Sequence, residues 1–192
     1  MQQRWENKLG QQFFEDIGVQ SGDRVLDFGC GEGRFSIPAA RATGPNGQVF
    51  ALDKDESSIN TVRQKMSELS VDNITTIKTN GELATEFNSL HFDYILLYDI
   101  LHYFLESQRL KLYKDLQRIL KKTGILSVYP KHTASDFPLD NLKDITTSEL
   151  VNEIEKFNLN LDQKIDTEIL HSSHIERGIV YNFSKTNSEG EL

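Results

Sequence analysis

Residues 25–40 read VLDFGCGEGRFSIPAA, and this stretch decides the fold. Three apolar residues and an aspartate form a short run that is typical of a buried strand, and glycines follow at Gly29, Gly31 and Gly33. Gly29 permits a tight turn, Gly31 allows a ligand to approach the backbone, and Gly33 lets the following helix pack against the strand. The pattern predicts a strand–loop–helix unit with a ligand at the loop. A glycine-rich turn without a ligand is the alternative.

The composition is that of an ordinary globular protein. The 192 residues suit one domain, with 38% hydrophobic and 26% charged residues. The net charge of −8 repels phosphates, so nucleic acid is disfavoured as a partner. The basic stretch QRILKKTG is short and reads equally well as the end of a helix. The single cysteine, Cys30, excludes an internal disulfide and a multi-cysteine zinc site.

The expected location is the cytoplasm, away from any membrane. No apolar run reaches the ~20 residues of a membrane helix, and the N-terminus MQQRWENKLG lacks the apolar core of an export signal. A lone cysteine also fits a reducing compartment. These patterns predict a protein without a membrane partner.

Strand and helix patterns alternate along most of the chain. Apolar residues recur at helical spacing from Trp5 to Ile17, and further helices are expected over 36–42, 56–69, 107–121 and 146–157. Strands are expected over 23–29, 48–53, 73–79, 92–100, 124–130, 161–171 and 177–185. The last two are too close for a helical crossover and should be antiparallel. We expect one Rossmann-like domain over 1–185, with an open, mostly parallel α/β sheet of about seven strands, helices on both faces, an antiparallel C-terminal hairpin and a short polar tail at 186–192.

A second carboxylate, Asp53, ends the next predicted strand. Asp53 comes 20 positions after Gly33, the offset at which nucleoside-binding sheets place an acid that accepts hydrogen bonds from ribose hydroxyls. The alternative is that Asp53 belongs to a charged turn, DKDE, that begins a helix. Together with the glycine loop, the ribose interpretation predicts a nucleoside cofactor.

Asp27 indicates which nucleoside cofactor to expect. The loop is GxGxG rather than GxGxxG, and Asp27 stands two residues before Gly29. A carboxylate there would repel a pyrophosphate but attract an ammonium group, which S-adenosylmethionine carries at its amino-acid end. A nicotinamide-dependent oxidoreductase explains the loop and Asp53 but leaves Asp27 beside a pyrophosphate. That reading stays open as an alternative.

At this point the chain resembles class I S-adenosylmethionine-dependent methyltransferases, and within them the type 11 group. In this chain, VLDFGCGEGRFSIPAA is similar to the family's first motif and VFALDKD to its second-strand motif. FDYILLYDILHYF is similar to the family's fourth-strand motif, and LQRILKKTGILSVYP to its fifth strand with the preceding helix. The resemblance implies a cofactor, S-adenosyl-L-methionine, held at its methionine end, its ribose and its adenine. The residues that it implies are Asp27, Gly29, Cys30, Gly31, Gly33, Asp53, Lys54, Asn80, Gly81, Glu82 and Tyr98.

Methyl transfer needs alignment more than it needs a catalytic triad, because the leaving group is built into the cofactor. Where the acceptor arrives protonated, Asp99 and His102 are the candidate bases, and His132 is a weaker one. The alternative is that Asp99 caps the next segment and that His102 packs in an aromatic turn. His171 and His174 without a clear third ligand favour a solvated turn over a metal site, so no metal is expected.

The acceptor is expected to be a small molecule of undetermined class. The tetrapeptide of enzymes that methylate adenine or glutamine amino groups is replaced by YDIL, and the paired Asp–Asn of metal-dependent catechol enzymes is replaced by YPKHTASD. Trp5, Phe13 and Phe14 could line the pocket but fit a core better. The short cap predicts an open site, or one completed by a second subunit or partner. A non-catalytic S-adenosylmethionine-binding subunit remains a further alternative.

Overall fold

The computed structural model of the protein describes residues 2–83 and 85–186. Seven strands in these residues form one mixed sheet in the order β3-β2-β1-β4-β5-β7-β6. The strands are β1 (Arg24–Phe28), β2 (Gln48–Asp53), β3 (Ile74–Lys78), β4 (Phe92–Tyr98), β5 (Leu120–Tyr129), β6 (Leu159–His171) and β7 (His174–Lys185). β1 to β5 pair in parallel, and β7 is antiparallel to both β5 and β6. The predicted fold class is confirmed. The expected polar tail lies, from residue 187 onward, outside the described residues.

The central strands are apolar because both of their faces are covered. Val25, Leu26, Ile95 and Leu96 are fully buried at the centre of the sheet. Such continuous apolar runs are typical of parallel strands between two layers of helices. β1 lies between β2 and β4, so the chain crosses to the other half of the sheet after β3. This reversal of strand order opens a crevice at the carboxyl ends of β1 and β4, where ligands bind in open α/β sheets.

Helices cover both faces of the sheet. The first face carries α1 (Gln2–Arg4), a π-helical stretch (Trp5–Leu9), α2 (Gly10–Asp16), α3 (Ser36–Thr43) and α4 (Glu56–Glu68). The second face carries α5 (Glu106–Ile119) and α6 (Thr147–Glu155), and two 3₁₀ turns lie at Leu101–Tyr103 and Asp140–Leu142. Each face has its own hydrophobic core. No helix in the described part of the chain is both long enough and apolar enough to cross a membrane.

Several element boundaries differ from the sequence prediction, and those around β5 and β7 matter most here. The helix expected over 107–121 ends at Ile119, because Leu120 turns to extended geometry and pairs with Phe92 of β4. The LKKT stretch therefore begins β5, and Lys121 forms an ion pair with Asp93 rather than ending a helix. The hairpin turn is also shorter than expected, because β7 begins at His174.

Candidate functional site

A cleft of about 690 Å³ opens at the carboxyl ends of β1, β2, β3 and β4. Its walls are the loops that follow these strands, as the order of the sheet requires. The predicted residues that line it are Gly29, Cys30, Gly31, Asp53, Lys54, Asn80, Gly81, Glu82, Tyr98 and Asp99. The remaining predicted residues, Asp27, Gly33 and His102, do not line the cleft. Ten of the thirteen predicted residues therefore line one cleft.

The glycine loop is tightly packed at its start and open at its middle. Gly29 has a positive φ of 78°, and a Cβ there would overlap Cδ1 of Ile100 in the loop after β4. Gly31 has a φ of 49°, and a Cβ there would meet no atom of the described residues within 4 Å. Gly29 thus permits the turn, and Gly31 faces the space of the cleft. Gly33 packs against Val62 of α4, a helix neighbour rather than the strand neighbour that was expected.

Cys30 is a small packing residue of this loop. It is only 6% exposed, and burial raises the pKa of its thiol well above the ordinary range. A thiol that resists ionisation is a poor nucleophile. The geometry agrees with the structural interpretation made from the sequence.

Asp53 ties the first two loops together. Gly31 N–H donates to Asp53 Oδ2 at 2.8 Å, and Asp55 N–H donates to Asp53 Oδ1 at 2.9 Å. The cap of α4 is Asp55, which accepts a hydrogen bond from Ser57 N–H at 3.0 Å. Asp53 thus belongs to the turn that precedes this helix, as the alternative held, and it also holds the glycine loop. Its hydrogen bond to a ribose stays a prediction. Each carboxylate oxygen still has acceptor capacity for a ligand in the cleft.

Asp27 lies beneath the glycine loop. Its carboxylate is 2% exposed and accepts a hydrogen bond from Ser36 Oγ at 2.6 Å. Burial raises the pKa of Asp27 to about 7, with the charge of Asp53 adding to the increase and the bond from Ser36 opposing it. Its contact with the ammonium end of a cofactor stays a prediction.

The far wall of the cleft combines polar loop residues with an apolar floor. Glu82 N–H donates to Asn80 Oδ1 at 2.9 Å, so the amide oxygen of Asn80 is used by its own turn. Apolar lining residues that the sequence analysis missed are Phe28, Leu52, Leu83, Ile100 and Phe104. Phe28 and Leu52 lie at the ends of β1 and β2, whereas the other three lie in the loops after β3 and β4. Such residues make a floor on which a flat aromatic base can stack.

Asp99 stands where the cleft meets a group of histidines. Its two carboxylate oxygens lie 3.3 Å from His132 Nε2 and 3.4 Å from His171 Nε2, and His102 Nδ1 lies 3.7 Å from the first oxygen. Burial raises the pKa of Asp99, while His171 and His132 oppose the increase. The 3₁₀ turn that follows is capped at Ile100, so the expected capping role of Asp99 is wrong.

His102 is a packed histidine, as the alternative interpretation held. It is 2% exposed, and its ring lies 3.9 Å from that of Tyr103 and 4.6 Å from that of His132, centroid to centroid. Burial lowers the pKa of His102 to about 4. The side chain is therefore neutral near pH 7 and only a weak base, which does not favour the catalytic role expected for it.

The hairpin between β6 and β7 supplies the outer part of the group. The side chain of His171 is 14% exposed and contacts both Asp99 and Glu176, so the expectation of a solvated turn is wrong for this residue. His174 does lie at the turn, with its side chain 54% exposed. Burial would raise the pKa of Glu176, but hydrogen bonds from Lys131 and Tyr129 lower it to about 2. The sequence analysis missed Lys131 and Glu176.

The aromatic residues of the N-terminal helices belong to the core. Trp5, Phe13 and Phe14 are each at most 4% exposed, and Trp5 Nε1–H donates to the Arg34 carbonyl at 2.9 Å. The preference for a core role over an acceptor pocket agrees with this placement. Tyr98 is buried behind the cleft, with its hydroxyl 2.7 Å from Ser127 Oγ.

Comparison with known proteins places the chain among methyltransferases. Residues 19–174 match a family model described as a methyltransferase domain. The chain is 34% identical over 82 residues to the probable cobalt-precorrin-6B C(15)-methyltransferase (decarboxylating) of Saccharolobus solfataricus, which covers 42% of this chain and 41% of that protein. It is 31% identical over 117 residues to the demethylmenaquinone methyltransferase of Staphylococcus aureus, 58% of this chain and 44% of that one. The chain thus spans about two fifths of the length of these curated relatives.

Solved structures share the fold over nearly the whole chain. A SAM-dependent methyltransferase from Aquifex aeolicus superposes with a TM-score of 0.75 at 20% identity, covering 94% of this chain and 91% of that one. The magnesium protoporphyrin IX methyltransferase of Synechocystis PCC 6803, solved with bound SAH, gives 0.68 at 17% identity and covers 96% and 82%. At these identities the likeness concerns the fold.

Proposed function

Because the chain belongs to the class I S-adenosylmethionine-dependent methyltransferases, we propose that it transfers the methyl group of this cofactor to a small molecule whose polar end binds at Asp99. The observation that carries the proposal is the position of Asp99, which lines the cofactor cleft and also contacts His132 and His171. We further propose that residues 1–185 act as one domain. The acceptor is inferred to be a small molecule in part because both named relatives act on one.

The cleft fits S-adenosylmethionine, the cofactor of the family. The open space at Gly31 admits a ligand against the backbone, and Asp53 presents a carboxylate beside it. The apolar floor at Leu52 and Leu83 suits an adenine ring. We infer that Asp27, Gly29 and Gly31 hold the amino-acid end, Asp53 the ribose, and Lys54 and Asn80 the adenine side. When bound, the cofactor supplies a methyl group on a sulfonium, a reactive leaving group.

The protein's own part in the reaction is to align and to desolvate. Holding two reactants in line can contribute about 7–11 kcal/mol to lowering a barrier. Tyr98 and Phe28 line the cleft and are themselves almost fully buried, so they present an apolar surface to the ligand. Asp99 accepts a hydrogen bond from the acceptor and thereby points a lone pair of its nucleophilic atom into the cleft.

The rim beyond Asp99 favours an acceptor with an apolar body. The exposed large apolar residues include Tyr103, Leu105, Phe137 and Leu139, which are 65%, 57%, 74% and 43% exposed. Phe137 and Leu139 are tied to the site, because their backbones hydrogen-bond the side chain and the carbonyl of His132. Tyr103 lines the cleft itself. An apolar molecule with one hydroxyl, thiol or amine would place its body on this rim and its polar end at Asp99.

The test is turnover with acceptors of this chemistry. Purified protein is supplied with S-adenosylmethionine and with simple phenols, hydroquinones, aryl thiols and aryl amines, and formation of S-adenosylhomocysteine is measured. We expect turnover with at least one class, reduced at least tenfold in Asp99→Asn, while the affinity for the cofactor stays unchanged. The matched control is Asp166→Asn on the exposed outer face of β6, which should react like the unaltered protein. Cofactor binding without turnover on any class would support a non-catalytic cofactor-binding subunit instead.

A further inference from the structure

Three potential ligand atoms for a metal ion converge beside the cofactor cleft. His132 Nε2 and His102 Nδ1 lie 3.3 Å and 3.7 Å from the same carboxylate oxygen, Oδ1 of Asp99. All three atoms are within 4.8 Å of one another. Oδ1 of Asp99 and Nδ1 of His102 are buried and lack a hydrogen-bond partner among the described residues. Buried polar atoms normally have a partner, so this pair needs explaining.

The hydrogen bond of His132 determines which of its ring nitrogens can bind a metal ion. Its Nδ1 lies 2.9 Å from the carbonyl oxygen of Phe137, which can only accept a hydrogen bond. Nδ1 therefore carries a proton, and in the neutral ring Nε2 presents a lone pair toward Asp99. A histidine that donates one ring nitrogen to a backbone carbonyl and presents the other is the usual arrangement of a metal ligand.

Backbone conformation holds two of these side chains in place. Asp99 and His132 both have a positive φ, of 54° and 71°, directly after β4 and shortly after β5. Left-handed geometry is unfavourable for a residue other than glycine. Asp99 N–H donates to the Tyr129 carbonyl at 3.1 Å, and Asn141 Nδ2–H donates to the His102 carbonyl at 3.0 Å. Strain of this kind gathers at functional sites, where the surrounding structure maintains it.

We propose that Asp99, His102 and His132 bind a divalent transition-metal ion of the zinc type at the edge of the cofactor cleft. Zinc is held at about 2.0–2.2 Å from nitrogen and oxygen ligands, so two ligands of a tetrahedral site lie about 3.4 Å apart. The observed separations from Asp99 Oδ1 bracket this value. Two imidazoles and one carboxylate favour such an ion over Mg²⁺ or Ca²⁺, which prefer oxygen ligands.

The proposed ion would act on the acceptor rather than on the cofactor, and this role rests on the proposed function. Three protein ligands leave a fourth position of a tetrahedral zinc ion open. An acceptor oxygen or sulfur bound there would lose its proton to solvent more readily and would be held beside Asp99, which lines the cleft. His171 and His174 are not among the three proposed ligands, and both lie against Glu176, whose carboxylate is paired with Lys131.

The test measures metal binding directly on the whole protein. Chelator-treated protein is titrated with Zn²⁺ by calorimetry and with Co²⁺ by visible absorption, where tetrahedral Co²⁺ gives intense bands. We expect one equivalent to bind, with tetrahedral Co²⁺ bands and an affinity at least tenfold lower in His132→Gln and in Asp99→Asn. The matched control is His174→Gln, which should bind as the unaltered protein does. Thermal unfolding without metal checks that each variant folds.

Other outcomes would overturn the proposal. Loss of binding in His174→Gln but not in His132→Gln would place the ion at the outer group of His171, His174 and Glu176. Absence of micromolar binding of Zn²⁺ and Co²⁺ to the unaltered protein would likewise contradict the proposal. A parallel titration with S-adenosylmethionine distinguishes failure of the metal site from failure of the proposed function. Failure to bind the cofactor would contradict the proposed function, whereas failure to bind only the metal would not.

Discussion

Gly31 N–H donates to Asp53 Oδ2 at 2.8 Å, which joins the loop after β1 to the end of β2. The same carboxylate accepts a hydrogen bond from Asp55 N–H. The residue that should bind the ribose is therefore held in place before the cofactor arrives, and little side-chain entropy remains to be lost on binding.

Asp53→Ala should weaken cofactor binding. A hydrogen bond to a charged group contributes roughly 1.5–3 kcal/mol, so the dissociation constant for S-adenosylhomocysteine should rise about 10- to 150-fold. Calorimetric titration measures this change. Asp55→Ala, two residues away, removes the cap of α4 and should lower thermal stability while altering the affinity much less. Equal losses of affinity in the two variants would mean that Asp53 acts only through the loop structure.

The two loop glycines should respond differently to alanine. Gly29→Ala brings a Cβ into Ile100 at a positive φ, and should cost about 2 kcal/mol or more of unfolding free energy. Gly31→Ala meets open space, so its stability cost should stay near ~1 kcal/mol, but its methyl group should obstruct the cofactor. Urea denaturation and cofactor titration of both variants measure the contrast. Unchanged cofactor affinity in Gly31→Ala would contradict the close approach of ligand and backbone.

Asp27 should release a proton when the cofactor binds. Burial raises its pKa to about 7, so the carboxyl is partly protonated at neutral pH. An ammonium group beside it would favour the ionised form and expel up to about half a proton per site at pH 7. The observed binding enthalpy should then depend on the ionisation enthalpy of the buffer, and Asp27→Asn should remove that dependence. A buffer-independent enthalpy in the unaltered protein would place the ammonium group elsewhere.

The same residue should affect stability as pH changes. The pKa of Asp27 in the folded state, about 7, exceeds the ordinary value of 3.8, so the folded protein keeps a proton that the unfolded chain has released. Between about pH 4 and pH 7 this residue therefore makes the free energy of unfolding fall as pH rises. Asp27→Asn should flatten the decline across that window. Urea titrations of both proteins from pH 4 to pH 8 measure how the free energy of unfolding changes with pH. An unchanged slope in Asp27→Asn would exclude Asp27 as the source of the decline.

The ion pair between α5 and α6 should stabilise the fold without taking part in ligand binding. Arg109 is fully buried and bonds Glu153 through two nitrogens, each at 2.8 Å. Glu153→Gln leaves a buried guanidinium without its counter-charge, which typically costs about 3–5 kcal/mol. Asp166→Asn, which breaks the exposed pair with Arg177, should change the urea midpoint little. If both variants unfold at the same urea concentration, the buried pair is not the anchor between these helices.

Local patterns predicted much of the fold and of the cofactor cleft. The glycine loop and Asp53 could be found because each follows a buried strand directly, and parallel order brings such strand ends together. The start of β5 at Leu120 could not, because helical propensity continues through this residue and only pairing with Phe92 decides against it. At Leu120, pairing with β4 outweighs the local preference for a helix.

The histidine group could not be assembled from the sequence. Asp99 follows β4, whereas His171 ends β6, and their contact depends on the position of the antiparallel hairpin beside β5. The short turn sets the pairing of β6 with β7, but it does not determine where this hairpin lies relative to β4. His102 was named for its position near Asp99, but its burial, which lowers its pKa to about 4, became visible only with the packed 3₁₀ turn around it.

Calorimetric titration of the unaltered protein with S-adenosylmethionine, S-adenosylhomocysteine and NADH tests directly which cofactor the cleft binds. We expect both adenosyl ligands to bind at one site with micromolar dissociation constants, and NADH to bind at least a hundredfold more weakly. Binding of NADH in preference, or of none of the three, would contradict the assignment of this cleft to S-adenosylmethionine.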